Sequence, residues 1–223
     1  MLITDSLVPT GNERLYQGKQ FRRTPFTARF QAGWFKFEVC SVHIYFGEES
    51  GAKLNQRINE IAAISKYFGS RAERAEKEFR SLILLGDFNI MHPEHETMKA
   101  LVNEGFELPK AIGPTNLGGD KYYDQIAFKA DSRVMKFVDS ANESNAGVFD
   151  LFNNVFTASQ YEDYKEDAKK SPNGRNKEGE DLKRYYKQWR KYQISDHKPI
   201  WVRLKINDSP RYLEALKNGE RNW

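Results

Sequence analysis

Four predicted strand ends in this sequence carry polar residues whose chemistry belongs together. His43 closes one strand, and Asp87 and Asn89 follow another across Gly86. Asp124 opens a third strand, and Asp196-His197 precede a fourth. Alternation along an extended chain puts Asp87 and Asn89 on one side and sends Phe88 the other way. A carboxylate and an amide side by side at a strand's end can hold a hard metal ion, a water or a phosphate oxygen. An Asp/Asn turn after an ordinary strand would read the same in those residues alone. The full set argues further. Hydrolysing a phosphodiester requires neutralisation of developing charge, a group that activates water, and donors to the phosphate oxygens. Carboxylates, an amide and two histidines are the side chains for that task.

Hydrophobic periodicity supplies the elements that must position these groups. Phe26–Phe30 and Trp34–Tyr45 alternate as two strands of a hairpin around Gln31-Ala32-Gly33. The second strand carries Phe35, Phe37, Val39 and Ser41 on one side, and Lys36, Glu38, Cys40 and Val42 on the other. Leu54, Ile58, Ile61, Ala62, Ser65 and Phe68 recur at helical spacing, predicting an amphipathic helix over 53–68. The charged Arg71–Arg80 stretch extends that helix or forms a second one joined by a turn. Leu82–Leu85 is a short apolar strand. Pro93–Glu104 reads as a helix ended by Gly105, and 113–119 as a loop. Tyr122–Lys129 and Arg133–Asp139 read as strands separated by a turn, and Val148–Val155 as a short helix. Residues 158–193 are strongly polar and read as a surface excursion with a helix at Leu182–Trp189, before a last strand, Pro199–Ile206. Residues 1–20 show no periodic element, and 207–223 form a polar tail. Strands and helices in this order predict an α/β (α+β) layered domain, a sheet covered by helices.

The balance of residues fits that reading. The 223-residue chain is 39% hydrophobic and 30% charged, enough for one sizeable core, and has no clear linker. A formal charge of +4 and a pI near 8.9 are compatible with a polyanionic partner. Cys40 is the lone cysteine, so no intramolecular disulfide can form, and a reducing, cytoplasmic setting is expected. No signal peptide or membrane-length apolar run is visible.

Gly86-Asp87-Phe88-Asn89, Tyr123-Asp124-Gln125-Ile126 and Ser195-Asp196-His197-Lys198-Pro199-Ile200 resemble three signature motifs of the endonuclease/exonuclease/phosphatase superfamily, in the family's order. The superfamily has the deoxyribonuclease-I-like fold, a β-sandwich flanked by helices. The resemblance runs from about residue 21 to 206, interrupted at 158–193. It implies that Asp124 holds His197 in its tautomer, that Asp87 and Asn89 position water and phosphate, and that His43 is a second acid or phosphate contact. Asp196 would be a metal or neighbouring ligand, and Mg²⁺ the natural ion, with Mn²⁺ or Ca²⁺ as substitutes. Arg23, within Phe21-Arg22-Arg23-Thr24-Pro25, is similar to an arginine that touches substrate phosphate. Thr115-Asn116 either orients a phosphate or forms a plain loop.

The resemblance also has a gap. The family's N-terminal half supplies a strand-end asparagine and a glutamate that is the principal metal ligand, and neither has a counterpart before Arg23. Glu13 lies in a polar stretch and is not taken for that glutamate. The chain is therefore expected to lack about half the fold, and to need a missing portion or partner fragment for full activity. The implied function is a Mg²⁺-dependent nuclease acting on DNA or RNA. The same motifs also serve inositol-phosphate phosphatases and sphingomyelinase-like enzymes, and a non-catalytic fragment that binds phosphate backbones is a third reading.

Overall fold

A computed structural model describes residues 21–77, 80–129, 135–137, 145–207 and 209–219. Its centre is a four-stranded sheet in the order β1-β2-β3-β4, with β1 at Phe26–Ala32, β2 at Phe35–His43, β3 at Arg80–Asp87 and β4 at Asp124–Lys129. β1 and β2 form the expected antiparallel hairpin, turning at Gly33 with φ +60°. β2 runs parallel to β3, and helix α1 (Gly51–Lys77) makes the crossover between them. β4 returns antiparallel to β3. Among the described residues the fold is mixed α/β, with five α-helices, of which α1 and the helix at Glu96–Val102 pack on this sheet.

Alternation in β2 sorts the two faces as its sequence predicts. Cys40 and Val42 join Leu82, Leu84 and Ala127 beneath Ile61, Ile64 and Phe68 of α1 and Leu101 of α2 (Glu96–Val102). Leu82, Leu84, Ile61, Ile64, Phe68 and Leu101 are fully buried, each adding about 1.5–3 kcal/mol of transfer free energy. Cys40 is free and buried among them, and burial pushes its thiol pKa up. The opposite face presents Phe35, Phe37, Val39, Ile83, Ile126 and Phe128 to a second β layer. That layer is two short antiparallel ladders, β5 (Met135–Phe137) with β8 (Leu204–Ile206) and β6 (Ala146–Val148) with β7 (Ile200–Val202). The layers are thus helix, sheet and sheet.

Several elements depart from the sequence reading. The charged stretch does extend the predicted 53–68 helix, giving one continuous 27-residue helix, but that helix is described only to Lys77 and Arg80 opens β3. β4 and β5 follow one another in sequence but pair with other strands, β3 and β8. The single last strand breaks at Arg203, because its two halves serve different ladders. Val148–Val155 is a strand end and a 3₁₀ turn at Leu151–Asn153 rather than a helix, capped by Asp150 accepting from Phe152 N. The polar tail contains helix α5 (Ser209–Lys217), whose Tyr212 ring stacks on Trp34 at 3.7 Å. Residues 158–193 hold helices α3 (Tyr161–Lys170) and α4 (Gly179–Trp189), with their own apolar core of Ala168, Leu182, Tyr186 and Trp189. Residues 1–20, read as irregular, lie outside the described residues.

β1 is an edge strand whose Phe26 and Phe30 are 61% and 50% exposed, although they lie on the same face as Phe37, on whose ring Phe30 stacks at 5.4 Å. On the helical side, Glu38 of β2 is only 1% exposed and accepts from Arg71 Nε at 2.6 Å and Arg29 Nε at 3.2 Å. Burial alone would raise this carboxyl's pKa, but the two guanidiniums override it and hold the pKa down. A buried charge so compensated fixes β1, β2 and α1 to one another.

Candidate active site

The strand registers create the site. His43 pairs in register with Asp87, and Asp87 with Asp124, so three polar side chains stand on one rung at the ends of β2, β3 and β4. Pairing continues just beyond the rung, from Ile44 N to Asp87 O at 2.8 Å and from Phe88 N to Tyr123 O at 2.9 Å. Gly86 makes this approach possible. A Cβ there would lie 2.0 Å from Val42 O, and φ is +134°, a region open essentially to glycine.

His197 reaches the rung from the segment before β7. Its Nδ1 lies 2.8 Å from Asp124 Oδ2, joining residues 73 positions apart. Hydrogen bonding to Asp124 is the main reason its pKa rises, to about 9, against the opposing effect of burial. The imidazole is therefore protonated at neutral pH. Tyr123 stacks on the ring with centroids 5.5 Å apart and Phe46 meets Tyr123 edge-on. Asp87 behaves in the contrary way for a carboxylate. Burial, with the charge of Asp124 adding to it, pushes its pKa to about 6, although Asn89 N donates to Oδ1 at 2.8 Å. His43 Nε2 lies 3.3 Å from Asp87 Oδ2. Burial and the cations of Arg23 and His197 nonetheless lower the His43 pKa, so this contact is that of a neutral imidazole.

The remaining expected residues divide into those at the rung and those behind it. Asn89 adopts φ +53° and donates from Nδ2 to Ile44 O at 2.7 Å, which ties the end of β2 to the turn after β3. Arg23 is exposed, and its charge acts on both His43 and Asp87. Thr115 is fully buried, and its hydroxyl accepts from Asp124 N at 3.2 Å while its carbonyl accepts from Lys198 N at 2.7 Å. It reaches the site through Asp124 and the His197 segment, not through an open hydroxyl. Asn116 closes its own loop, accepting from Asp120 N and Lys121 N. Asp196 is exposed beside His197 and adds to the field that raises its pKa.

Asp87, Asp124 and His197 offer ligand atoms that all lie within 4.8 Å of one another and could hold a metal ion, with the two carboxylates as its ligands while His197 keeps its proton. Asp196, the expected metal ligand, stands outside that group. The donor set fits a cation, because Asp124 raises the Asp87 pKa through a repulsion that a positive ion would relieve.

Two participants were not named from the sequence. Tyr123 was read only as part of a motif, and Arg57 only as a helix position. Arg57 is 1% exposed under the Phe46 ring at 4.5 Å, donates from Nη2 to Glu48 O, and has no partner for Nε or Nη1 among the described residues. Its guanidinium charge reaches Tyr123 and Asp87. The available signal was a cation inside the apolar stripe of α1, between Leu54 and Ile58.

The His197 shift has a consequence for stability. The folded-state pKa lies above the unfolded 6.5, so His197 stabilises fully below pH 6.5 and loses that contribution as pH rises towards 9. In EDTA, the urea midpoint is expected to fall across that window, and His197→Ala to flatten the fall. A midpoint independent of pH there would count against the Asp124–His197 pair.

Among solved structures, the human Nocturnin catalytic domain with bound sulfate anion is similar over 57% of this chain, at 14% identity and a TM-score of 0.34. The match covers 49% of that domain, so this chain spans about half its length. So slight a likeness carries no weight for the chemistry, which rests on the geometry above. No family model matches the sequence, and comparison with curated proteins finds no relative. Among the described residues, no helix is long and apolar enough to cross a membrane.

Proposed function

We propose that this chain carries the acid–base site of a metal-dependent phosphodiester hydrolase of the endonuclease/exonuclease/phosphatase type, with nucleic acid as substrate. The observation that carries the reading is convergence. The three sequence segments that resemble the family's motifs meet at one end of the sheet, where Asp124 and His197 pair at 2.8 Å. Their shifts assign the roles. His197, charged at neutral pH, holds a phosphate oxygen and gives a proton to the leaving oxygen. Asp87, ionised above about pH 6, accepts a proton from the attacking water. His43, neutral beside Asp87, contacts phosphate, and Arg23 adds positive charge at the mouth.

Asp87 and Asp124 supply the oxygens a hard ion such as Mg²⁺ takes, and Mg²⁺ accepts few protein carboxylates while keeping water and substrate oxygens. Bound there, the ion would neutralise charge on the phosphate. The basic balance of the chain and Arg22-Arg23 favour a nucleic acid over a small phosphorylated molecule.

Incubation of the purified chain with supercoiled plasmid in Mg²⁺ is expected to give nicked circles, and EDTA to abolish them. Release of phosphate from inositol phosphates with the plasmid intact would overturn the nucleic-acid assignment. Turnover of neither substrate would overturn hydrolase activity of this chain by itself and leave the fragment that binds phosphate backbones.

A further inference from the structure

The α3–α4 hairpin is rooted at the candidate site. Phe149 N donates to Pro199 O at 2.8 Å, closing the stem two residues from His197. Lys198 Nζ pairs with Asp150 Oδ2 at 2.9 Å across the same stem. The hairpin is held as a unit by its aromatic core, by Tyr186 Oη donating to Thr157 O, and by Arg190, which lies over the Phe152 ring and donates to Phe156 O. Such an inserted unit, packed internally and anchored at both ends, is placed by the stem.

Charge along the hairpin is segregated. α3 mixes Glu162, Asp163, Glu166 and Asp167 with three lysines, and Lys165 and Lys170 are paired within the helix at 2.7 and 2.9 Å. From Lys183 to Gln193 there are Lys183, Arg184, Lys187, Arg190 and Lys191 and no carboxylate. Lys183 and Arg184 face Glu180 and Asp181, but Lys187 and Lys191 have no carboxylate partner among the described residues. The basic end is also the end nearest the stem. Tyr192 is 69% exposed, with the Lys191 ammonium 4.9 Å from its ring centroid. An aromatic face this open, flanked by unpaired cations, matches how single strands are gripped: phosphates by charge, bases by stacking. His197 lies five positions after Tyr192, so the two are at most about 18 Å apart, or roughly five nucleotide rises.

We propose that the C-terminal half of α4 and the turn after it, Lys187, Lys191 and Tyr192, form a binding arm for single-stranded nucleic acid that leads a strand into the His197 site. The proposal rests on the reading that the site acts on nucleic acid, and it concerns binding rather than chemistry. It is tested with the full chain in EDTA, by anisotropy of a short fluorescent single-stranded oligonucleotide at several salt concentrations. Lys187→Glu/Lys191→Glu is expected to weaken binding about ten-fold or more and to lower the salt slope by about 1.4. Tyr192→Ala is expected to weaken it about five-fold or more with the slope unchanged. Lys165→Glu/Lys170→Glu, the same change of charge on α3, is expected to leave affinity within about two-fold, because both lysines are already neutralised. Equal losses from the two lysine pairs, or no loss from either, would overturn the arm. Duplex bound as tightly as single strand, together with a silent Tyr192→Ala, would overturn its single-strand character. The two readings fail separately: a chain that binds strands but cleaves none sinks the hydrolase and keeps the arm, whereas one that cleaves strands with unchanged affinity in Lys187→Glu/Lys191→Glu does the reverse.

Discussion

His197→Ala is expected to lower plasmid nicking in Mg²⁺ by about 10²–10⁴-fold, the range for losing a positioned general acid. The ring is partly exposed and stacks on Tyr123 at the end of the sheet, so the variant should keep its far-ultraviolet circular dichroism. Asp124→Asn separates charge from shape. The amide can still accept from the imidazole, but the negative charge that lifts the His197 pKa to about 9 is gone. The pKa should fall back towards 6.5, and a rate that was flat across neutral pH should decline as pH rises through it. The Asp124→Asn rate should therefore recover partly at pH 6, where His197→Ala should not. Unchanged nicking in His197→Ala would remove the basis of the proposed mechanism. A loss in Asp124→Asn that is the same at every pH would remove the assigned proton.

Gly86→Ala is the second large effect, and it acts on the frame rather than the chemistry. The new methyl would lie 2.0 Å from Val42 O in the paired strand, and φ of +134° strains any L side chain. No flexible side chain can yield there, because the obstacle is backbone. A loss of about 3–5 kcal/mol is expected, among the larger values for one substitution. Urea denaturation measures it, with Gly33→Ala as the comparison. Gly33 also has positive φ, but no atom lies within 4 Å of its Cβ position, so about 1–2 kcal/mol is expected. A midpoint shift in Gly86→Ala no larger than in Gly33→Ala would contradict the close approach of β3 to β2. The site depends on that approach, since it sets His43 beside Asp87 one rung further on.

Sequence by itself determined the pieces whose signal is local. The β1–β2 hairpin, the sorting of Phe35, Phe37 and Val39 from Cys40 and Val42, the amphipathic α1 and the helix in α4 follow from periodicity. Periodicity reports which side of an element is apolar, and that property belongs to the element alone. The polar strand ends His43, Asp87, Asn89, Asp124 and His197 were legible for the same reason, as departures from each strand's pattern.

Tertiary structure decided whatever depends on a partner. β5 turns away from β4 to pair with β8, and the last strand divides at Arg203, because strand pairing is a contact between distant segments that alternation does not encode. Thr115, read either as a phosphate contact or as a plain loop residue, is buried as the strut between Asp124 and Lys198. The polar count of 158–193 concealed an aromatic core, since its apolar residues are few and are gathered only when α3 and α4 fold together. The chemistry itself was decided there too. A carboxylate with a pKa near 6 and an imidazole near 9 are products of burial and of one 2.8 Å contact, and neither exists until the strand ends meet.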